Sequence, residues 1–143
     1  MNTSAQSLNF QLGLLHFAHL LAMVDGIMDE REKKAIRAIA DEEQIPEGVF
    51  QDFQKEITRR TEKEIYKQGL DLLNQCNDDE KKCAFVHLYR LSEADDKIHV
   101  REVRLLLYSL KATHVDFEDV ELIARLTKAT NQLVHRSDQK SAA

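Results

Sequence analysis

The stretch from Val24 to Glu32, VDGIMDERE, stands between two predicted helices and decides how the rest of the chain is interpreted. It follows an apolar stripe whose members recur at steps of four and three, namely Phe10, Leu14, Phe17 and Leu21. We predict that this first helix ends at Gly26, because glycine adopts a positive φ at a helix C-terminus without steric strain. A second helix should begin near Asp29, which has capping-box spacing to Glu32.

From Asp25 onward the stretch matches the second half of an EF-hand calcium loop, in which an Asp-Gly pair is followed by an apolar residue and a final Glu. An EF-hand also takes side-chain ligands from loop positions one and three, which are Leu21 and Met23 in this chain. Without the first carboxylate an ordinary calcium loop cannot form. The sequence therefore excludes an EF-hand.

A second copy of the stretch lies 70 residues downstream. Residues 20–32, LLAMVDGIMDERE, align without gaps to residues 90–102, RLSEADDKIHVRE. The identical pairs are Leu21 and Leu91, Asp25 and Asp95, Arg31 and Arg101, and Glu32 and Glu102. Repetition at a fixed offset predicts duplicated structure. We predict two helical halves, at about 8–58 and 78–131, joined by a helix at 61–76.

The apolar residues follow a helical period along nearly the whole chain, and this predicts an all-α single domain of about seven helices over residues 1–143. The joining helix opens with a capping box, TEKE, at 61–64. The sixth helix carries an apolar stripe of Val103, Leu106, Leu107 and Leu110. The tail at about 134–143 lacks an apolar period, so we expect it to be frayed.

Composition narrows the function classes. The net charge is −5, and no Lys/Arg cluster with interleaved aromatic residues is present, which argues against nucleic-acid binding. No apolar run approaches the roughly 20 residues of a transmembrane helix. The first residues lack the pattern of a signal peptide, so a cytoplasmic location is expected. Cys76 and Cys83 form no CxxC motif, and we interpret both as small hydrophobic residues.

The acidic turn admits three interpretations, which the residues alone leave open. At a helix C-terminus the carboxylate of Asp25 is disfavoured by about 0.3–1 kcal/mol, so something nearby must stabilise it. The free N–H groups of the next helix would do so, and so would Arg31 or Lys34. A cation shared with neighbouring acids, Asp29, Glu30 and Glu32, would do the same.

This pattern resembles the tellurite-resistance TerB-like family, whose mark is a small residue before Asp-Gly and a Glu seven after the Asp, twice in an all-helical domain. The matching residues are Asp25, Gly26, Met28 and Glu32, then Asp95, Ile98 and Glu102, and the resemblance covers about residues 8–131. It implies a bacterial stress-associated protein that works through protein partners and holds a divalent metal ion at Asp25, Asp29, Glu32, Asp95 and Glu102. Asp96 replaces the second glycine, and His99 replaces an acid.

Enzymatic activity is not expected, because the GxSxG, HExxH and phosphate-loop motifs are absent. His16 and His19 are interpreted as boundary residues of the first helix, and His87 is isolated in the sequence. His99, beside Asp95 and Glu102, would shift the second turn towards a transition metal. The alternatives to a metal-binding domain are a helical interaction module whose acids only cap helices, and a carboxylate-based hydrolase.

Overall fold

The computed structural model describes residues 7–24, 26, 28–93 and 100–127, and every regular element in these ranges is an α-helix. The helices are α1 (Leu8–Ala22), α2 (Glu30–Glu42), α3 (Glu47–Ile57), α4 (Glu62–Asn74), α5 (Asp78–Glu93), α6 (Val100–Ala112) and α7 (117–127). The predicted all-α fold of about seven helices is confirmed. No helix in the described ranges has both the length and the apolar character needed to cross a bilayer.

Helix α1 is the centre of the molecule. Ten of its 15 residues are buried, because apolar side chains project from nearly every side of it. It packs against α2, α3, α4 and α5. Phe10, Leu14 and Leu15 are fully buried, and each such side chain contributes about 1.5–3 kcal/mol of hydrophobic free energy.

Two glycines allow α1 and α4 to approach closely. A Cβ atom on Gly13 would lie 2.7 Å from Cδ2 of Leu73, and one on Gly69 would lie 2.9 Å from Cε2 of Phe17. Both distances are shorter than a normal carbon–carbon contact of about 3.5–4.0 Å. The α1–α4 interface therefore depends on the absence of a side chain at both positions.

Side-chain caps set where most helices begin. The Asp29 carboxylate accepts a hydrogen bond from the backbone N–H of Glu32 at 2.8 Å and caps α2. The predicted capping box of α4 is present in full between Thr61 and Glu64. Asn77 caps α5 by accepting from the N–H of Glu80 at 2.8 Å. Local sequence signals therefore fix these helix starts.

Glu80 also joins the start of α1 to the start of α5. Its Oε1 atom accepts from the N–H of Asn77 at 3.2 Å, while Oε2 accepts from the hydroxyl of Ser7 at 2.7 Å. Ser7 is the N-cap of α1. Burial raises the pKa of Glu80, but hydrogen bonds from Ser7 and Asn77 outweigh it and leave that pKa lowered. One carboxylate thus serves the N-termini of both α1 and α5.

The helices repeat at the offset that the sequence predicts. Helix α2 begins and ends 70 residues before α6, and helical residues 47–57 recur as 117–127. The turn between α2 and α3 has the same conformation as the turn between α6 and α7. Gln44 and His114 both have positive φ there, of 54° and 59°. The N–H of the next residue then bonds back to Ala40 O at 2.9 Å and to Leu110 O at 3.0 Å. The two halves therefore share turn type and register, and α2 and α6 have the same length.

Some local predictions were wrong. Helix α1 ends at Ala22 rather than Gly26, although Gly26 does take a positive φ of 93°. His16 is buried in the core rather than at its boundary. Val103 and Leu107, in the predicted apolar stripe of α6, are 39% and 49% exposed. The predicted tail at 134–143 lies outside the described residues.

Candidate functional site

The structure describes three of the five acidic residues that were predicted to bind a metal ion. Asp29 is the N-cap of α2, and Glu32 is the third residue of that helix. Glu102 takes the equivalent third position in α6, which matches the repeat. Asp25 and Asp95 lie outside the described residues. The proposed metal set of Asp25, Asp29, Glu32, Asp95 and Glu102 therefore stays a prediction.

A different cluster of potential ligands lies where the end of α2 meets α5. Cys83 and His87 are one helical turn apart, so they project from the same face of α5. Glu43 is the C-cap residue of α2 and faces them. One ligand atom from each of these three residues lies within 4.8 Å of the other two. Among the described residues this is the group of three whose atoms come close enough to hold a metal ion.

The strongest contact in the cluster joins Glu43 and His87. Nε2 of His87 lies 2.7 Å from Oε2 of Glu43. A carboxylate only accepts, so Nε2 carries the proton and donates it. The side chains are 5% and 13% exposed, and burial strengthens the interaction. The His87 hydrogen bond is the main cause that lowers the pKa of Glu43, against the opposing effect of burial.

Cys83 completes the cluster through its thiol. Its Sγ atom lies 3.6 Å from Oε2 of Glu43, to which the S–H group donates. Burial, reinforced by the negative charge of Glu43, raises the pKa of Cys83 to about 12. The sulfur is therefore a neutral thiol at neutral pH unless a bound cation stabilises the thiolate.

The cluster lines a groove of about 250 Å³ between α5 and α7. The carboxylate of Glu42 lies 3.9 Å from Nδ1 of His87, the ring nitrogen that faces away from Glu43. Lys82 crosses the groove to Asp119 at 3.7 Å. Arg90 places a buried Nη2 atom there that has no hydrogen-bond partner among the described residues. The groove thus contains both carboxylates and cationic side chains.

A second groove, of about 260 Å³, lies at the equivalent place in the first half, between α1 and α3. Its wall includes His16, whose Nδ1 donates to the carbonyl of Leu12 at 2.6 Å. Nε2 of His16 is buried and has no hydrogen-bond partner in the part of the chain that the structure describes. Burial is the main cause that lowers the pKa of His16, so the ring is neutral at pH 7. This groove has an apolar floor and carries no ligand cluster within the described residues.

The metal-ligand cluster was missed in the sequence for identifiable reasons. Cys83 was interpreted as a small hydrophobic residue, and His87 as isolated. Their spacing of four residues on a predicted helix is the local signal that could have paired them. Glu43 is 40 residues from Cys83, and only the tertiary fold brings the C-cap of α2 beside α5.

The chain has no match among protein-family models, curated proteins or solved structures.

Proposed function

We propose that this chain is a non-enzymatic helical domain that binds a divalent transition-metal ion and acts through protein partners. The observation that carries the proposal is the convergence of Glu43, Cys83 and His87, whose ligand atoms lie within 4.8 Å of one another. Thiolate, imidazole and carboxylate together form a donor set typical of zinc. Calcium and magnesium prefer oxygen ligands alone, so they fit this cluster poorly.

The spacing of the cluster is close to that of a zinc site. Zinc–ligand bonds of about 2.0–2.3 Å in a tetrahedron separate neighbouring ligand atoms by roughly 3.3–3.8 Å. The separation of Cys83 Sγ and Glu43 Oε2, 3.6 Å, already falls in that range. His87 Nε2 and Glu43 Oε2, at 2.7 Å, need to move apart by less than 1 Å. A side-chain adjustment of that size requires no change in the helices.

Metal binding at this cluster requires the release of one proton and the relocation of another. Metal binding would remove the S–H proton of Cys83 and shift the ring proton of His87 from Nε2 to Nδ1. Nδ1 then faces Glu42, 3.9 Å away, and a carboxylate at that position orients a metal-bound imidazole. Because one thiol proton is released, the apparent affinity should rise by about tenfold per pH unit below the thiol pKa.

Cobalt(II) titration tests the proposal directly, since a cobalt–thiolate bond adds a charge-transfer absorption band. We expect this band in the native protein and its loss in Cys83→Ser. Cys76→Ser is the matched control, because that thiol is buried and donates to Leu72 O at 3.4 Å, away from the cluster. Zinc should displace the cobalt. A band that survives in Cys83→Ser, or its absence at millimolar cobalt in the native protein, would contradict the proposal.

A second candidate is cation binding by the two acidic turns, as the resemblance to the TerB-like family implies. Its support is the structural repeat, which gives Glu32 and Glu102 the same place in α2 and α6. Calorimetry with calcium, magnesium, manganese and zinc should compare the native chain with an Asp25→Ala/Glu32→Ala variant. Heat lost in that variant but kept in Cys83→Ser assigns the ion to the turns; the opposite result assigns it to the cluster.

The non-enzymatic part of the proposal rests on the chemistry of the cluster. A thiol whose pKa is about 12 is a poor nucleophile at neutral pH. A generic phosphatase and esterase screen, repeated with a chelator, tests the hydrolase alternative. Activity above background that the chelator abolishes would favour that alternative. A cytoplasmic location and a role in bacterial stress belong to the same proposal; the first is expected from the sequence, and the second is implied by the resemblance to the TerB-like family.

A further inference from the structure

The second half of the molecule carries an apolar surface that the first half lacks. Apart from Leu8, the large apolar side chains that are exposed to solvent among the described residues all lie on α6 or α7. The most exposed are Val100 at 66%, Tyr108 at 64%, Leu126 at 59% and Leu122 at 57%. A cluster of this size on one helical hairpin is typical of an interaction surface.

The first half is an internal reference for that surface, because its helices have the same register and α2 has the same length as α6. Charged residues occupy six of the equivalent positions in α2 and α3, namely Glu30, Lys33, Arg37, Glu47, Asp52 and Glu56. The residues 70 positions later are apolar, namely Val100, Val103, Leu107, Phe117, Leu122 and Leu126. The same scaffold therefore presents a charged face in one half and an apolar face in the other.

One pair shows the exchange most clearly. Arg37 of α2 donates to Glu47 of α3 at 3.1 Å, and both side chains are about half exposed to solvent. At the equivalent positions α6 and α7 have Leu107 and Phe117, which are 49% and 36% exposed. An ion pair suits a face in contact with water, whereas two exposed apolar side chains suit a face that another surface covers.

The charges that border the apolar residues differ between the two helices. Helix α6 has three exposed basic residues, Arg101, Arg104 and Lys111, and one half-buried acid, Glu102, so its net charge is +2. Helix α7 has three acidic residues, Glu118, Asp119 and Glu121, and one basic residue, Arg125, so its net charge is −2. Arg125 pairs with Glu121 at 3.6 Å and Asp119 with Lys82 of α5 at 3.7 Å, which leaves Glu118 as the acid for a partner. The face of α6 is thus apolar and basic, and that of α7 is apolar and acidic. Each face complements the other.

We propose that α6 and α7 form a self-association surface, with α6 of one copy packed against α7 of its partner and the reverse contact made at the same time. A two-fold arrangement makes each complementary contact twice and closes the assembly at two copies. It covers the apolar residues of both helices and sets basic side chains opposite acidic ones. This inference is independent of the metal site.

The size of the surface sets the expected strength. A helix of 13 residues is about 20 Å long, and two adjacent helices span roughly 20 Å across, so the face covers roughly 400 Å² in projection. Stable interfaces bury about 800 Å² of accessible surface on each partner. We therefore expect a reversible dimer whose population depends on concentration.

Sedimentation equilibrium of the full chain over a wide concentration range tests the proposal. We expect a monomer–dimer equilibrium that Leu122→Glu weakens at least about tenfold, because a carboxylate would enter an apolar contact. Asp52→Glu is the matched control, since it places the same side chain at the equivalent position of the first half. Circular dichroism should confirm that both variants are folded. A chain that stays monomeric at millimolar concentration, or a dimer that Leu122→Glu leaves intact, would overturn the proposal.

Charge reversal distinguishes the reciprocal α6–α7 contact from other pairings. Arg104→Glu and Glu118→Arg should each weaken the dimer, and the double variant should recover part of the loss. No recovery, or a dimer that neither single change weakens, would overturn the α6–α7 pairing. Binding of monomer to phosphatidylserine vesicles, without self-association, would also overturn it and show that the basic face meets a membrane.

Discussion

Gln44 and His114 occupy the same left-handed position, 70 residues apart, at the end of α2 and at the end of α6. A non-glycine residue at positive φ costs about 1–2 kcal/mol. Gln44→Gly and His114→Gly should therefore each raise the free energy of unfolding, by about 0.5–1 kcal/mol after the flexibility of glycine in the unfolded chain is counted. Urea denaturation measures this.

The control for these two variants is Gln51→Gly, an exposed residue within α3. Glycine inside a helix costs roughly 0.5–1 kcal/mol, so this change should destabilise the protein. Equal losses in all three variants would show that the turns are not strained.

The α1–α4 interface predicts a contrast among glycines. Gly13→Ala and Gly69→Ala should each destabilise the protein by about 1–3 kcal/mol, because the new methyl group meets Leu73 or Phe17 at less than 3.0 Å. Gly48→Ala in α3 has no atom within 4 Å of the added Cβ, so it should raise stability by up to about 1 kcal/mol. Thermal unfolding of the three variants would reveal the difference. A stable Gly69→Ala protein would argue against the close contact of α1 and α4.

The Glu43–His87 pair predicts a pH dependence of stability. The pKa of Glu43 is lowered in the folded protein, so below its ordinary value of about 4.3 the unfolded chain binds more protons than the folded one. The contribution of Glu43 is thus complete above that value and is lost as the pH falls through the lowered folded pKa. Glu43→Gln should cost about 1–3 kcal/mol at pH 7, since it weakens a buried hydrogen bond to a charged group.

The comparison with Glu43→Gln isolates this one carboxylate. The pKa values of Glu64 and Glu80 are also lowered, but both groups are unchanged in the variant. The difference in unfolding free energy between native protein and variant should shrink between about pH 5 and pH 2. A difference that is constant over this range would mean that the pKa of Glu43 is not lowered by His87.

Cys83 should resist alkylation in the folded protein. A thiol with a pKa of about 12 is almost entirely protonated at pH 8, whereas an ordinary cysteine is partly ionised. Iodoacetamide should therefore modify Cys83 at least about 100-fold more slowly in the native chain than in urea. Glu43→Gln should speed the reaction, because one cause of the raised pKa is removed. Mass spectrometry of the peptides separates Cys83 from Cys76, and rapid native labelling of Cys83 would refute the expected burial.

Local chemistry made the helix starts predictable. Asp29 and Thr61 begin helices where capping boxes were expected, and the offset between the halves was visible from Leu21, Glu32 and their counterparts. A helix cap acts over three or four residues, and the repeat keeps a constant offset of 70 residues. Neither signal depends on how the helices pack.

Properties that depend on packing were not predictable in this way. Helix α6 has apolar residues on more than one side, and the period alone could not show that Leu106 faces the core while Leu107 faces outward. Glu43 comes together with Cys83 and His87 although it lies 40 residues before Cys83 in the sequence. Neither segment contains a motif that indicates contact with the other. The acidic turns were conspicuous in the sequence, and their role stays a prediction.

Helix α1 is enclosed by helices from both halves and by the joining helix α4. A fragment that ends near Asn77 would leave part of α1 uncovered, and one that begins there would lack the element on which α5 packs. Neither fragment should fold alone, although the repeat divides the sequence at this point. The halves should instead unfold together, in one transition seen alike by circular dichroism and by tyrosine fluorescence. Structural repetition in this chain therefore coexists with a single cooperative unit.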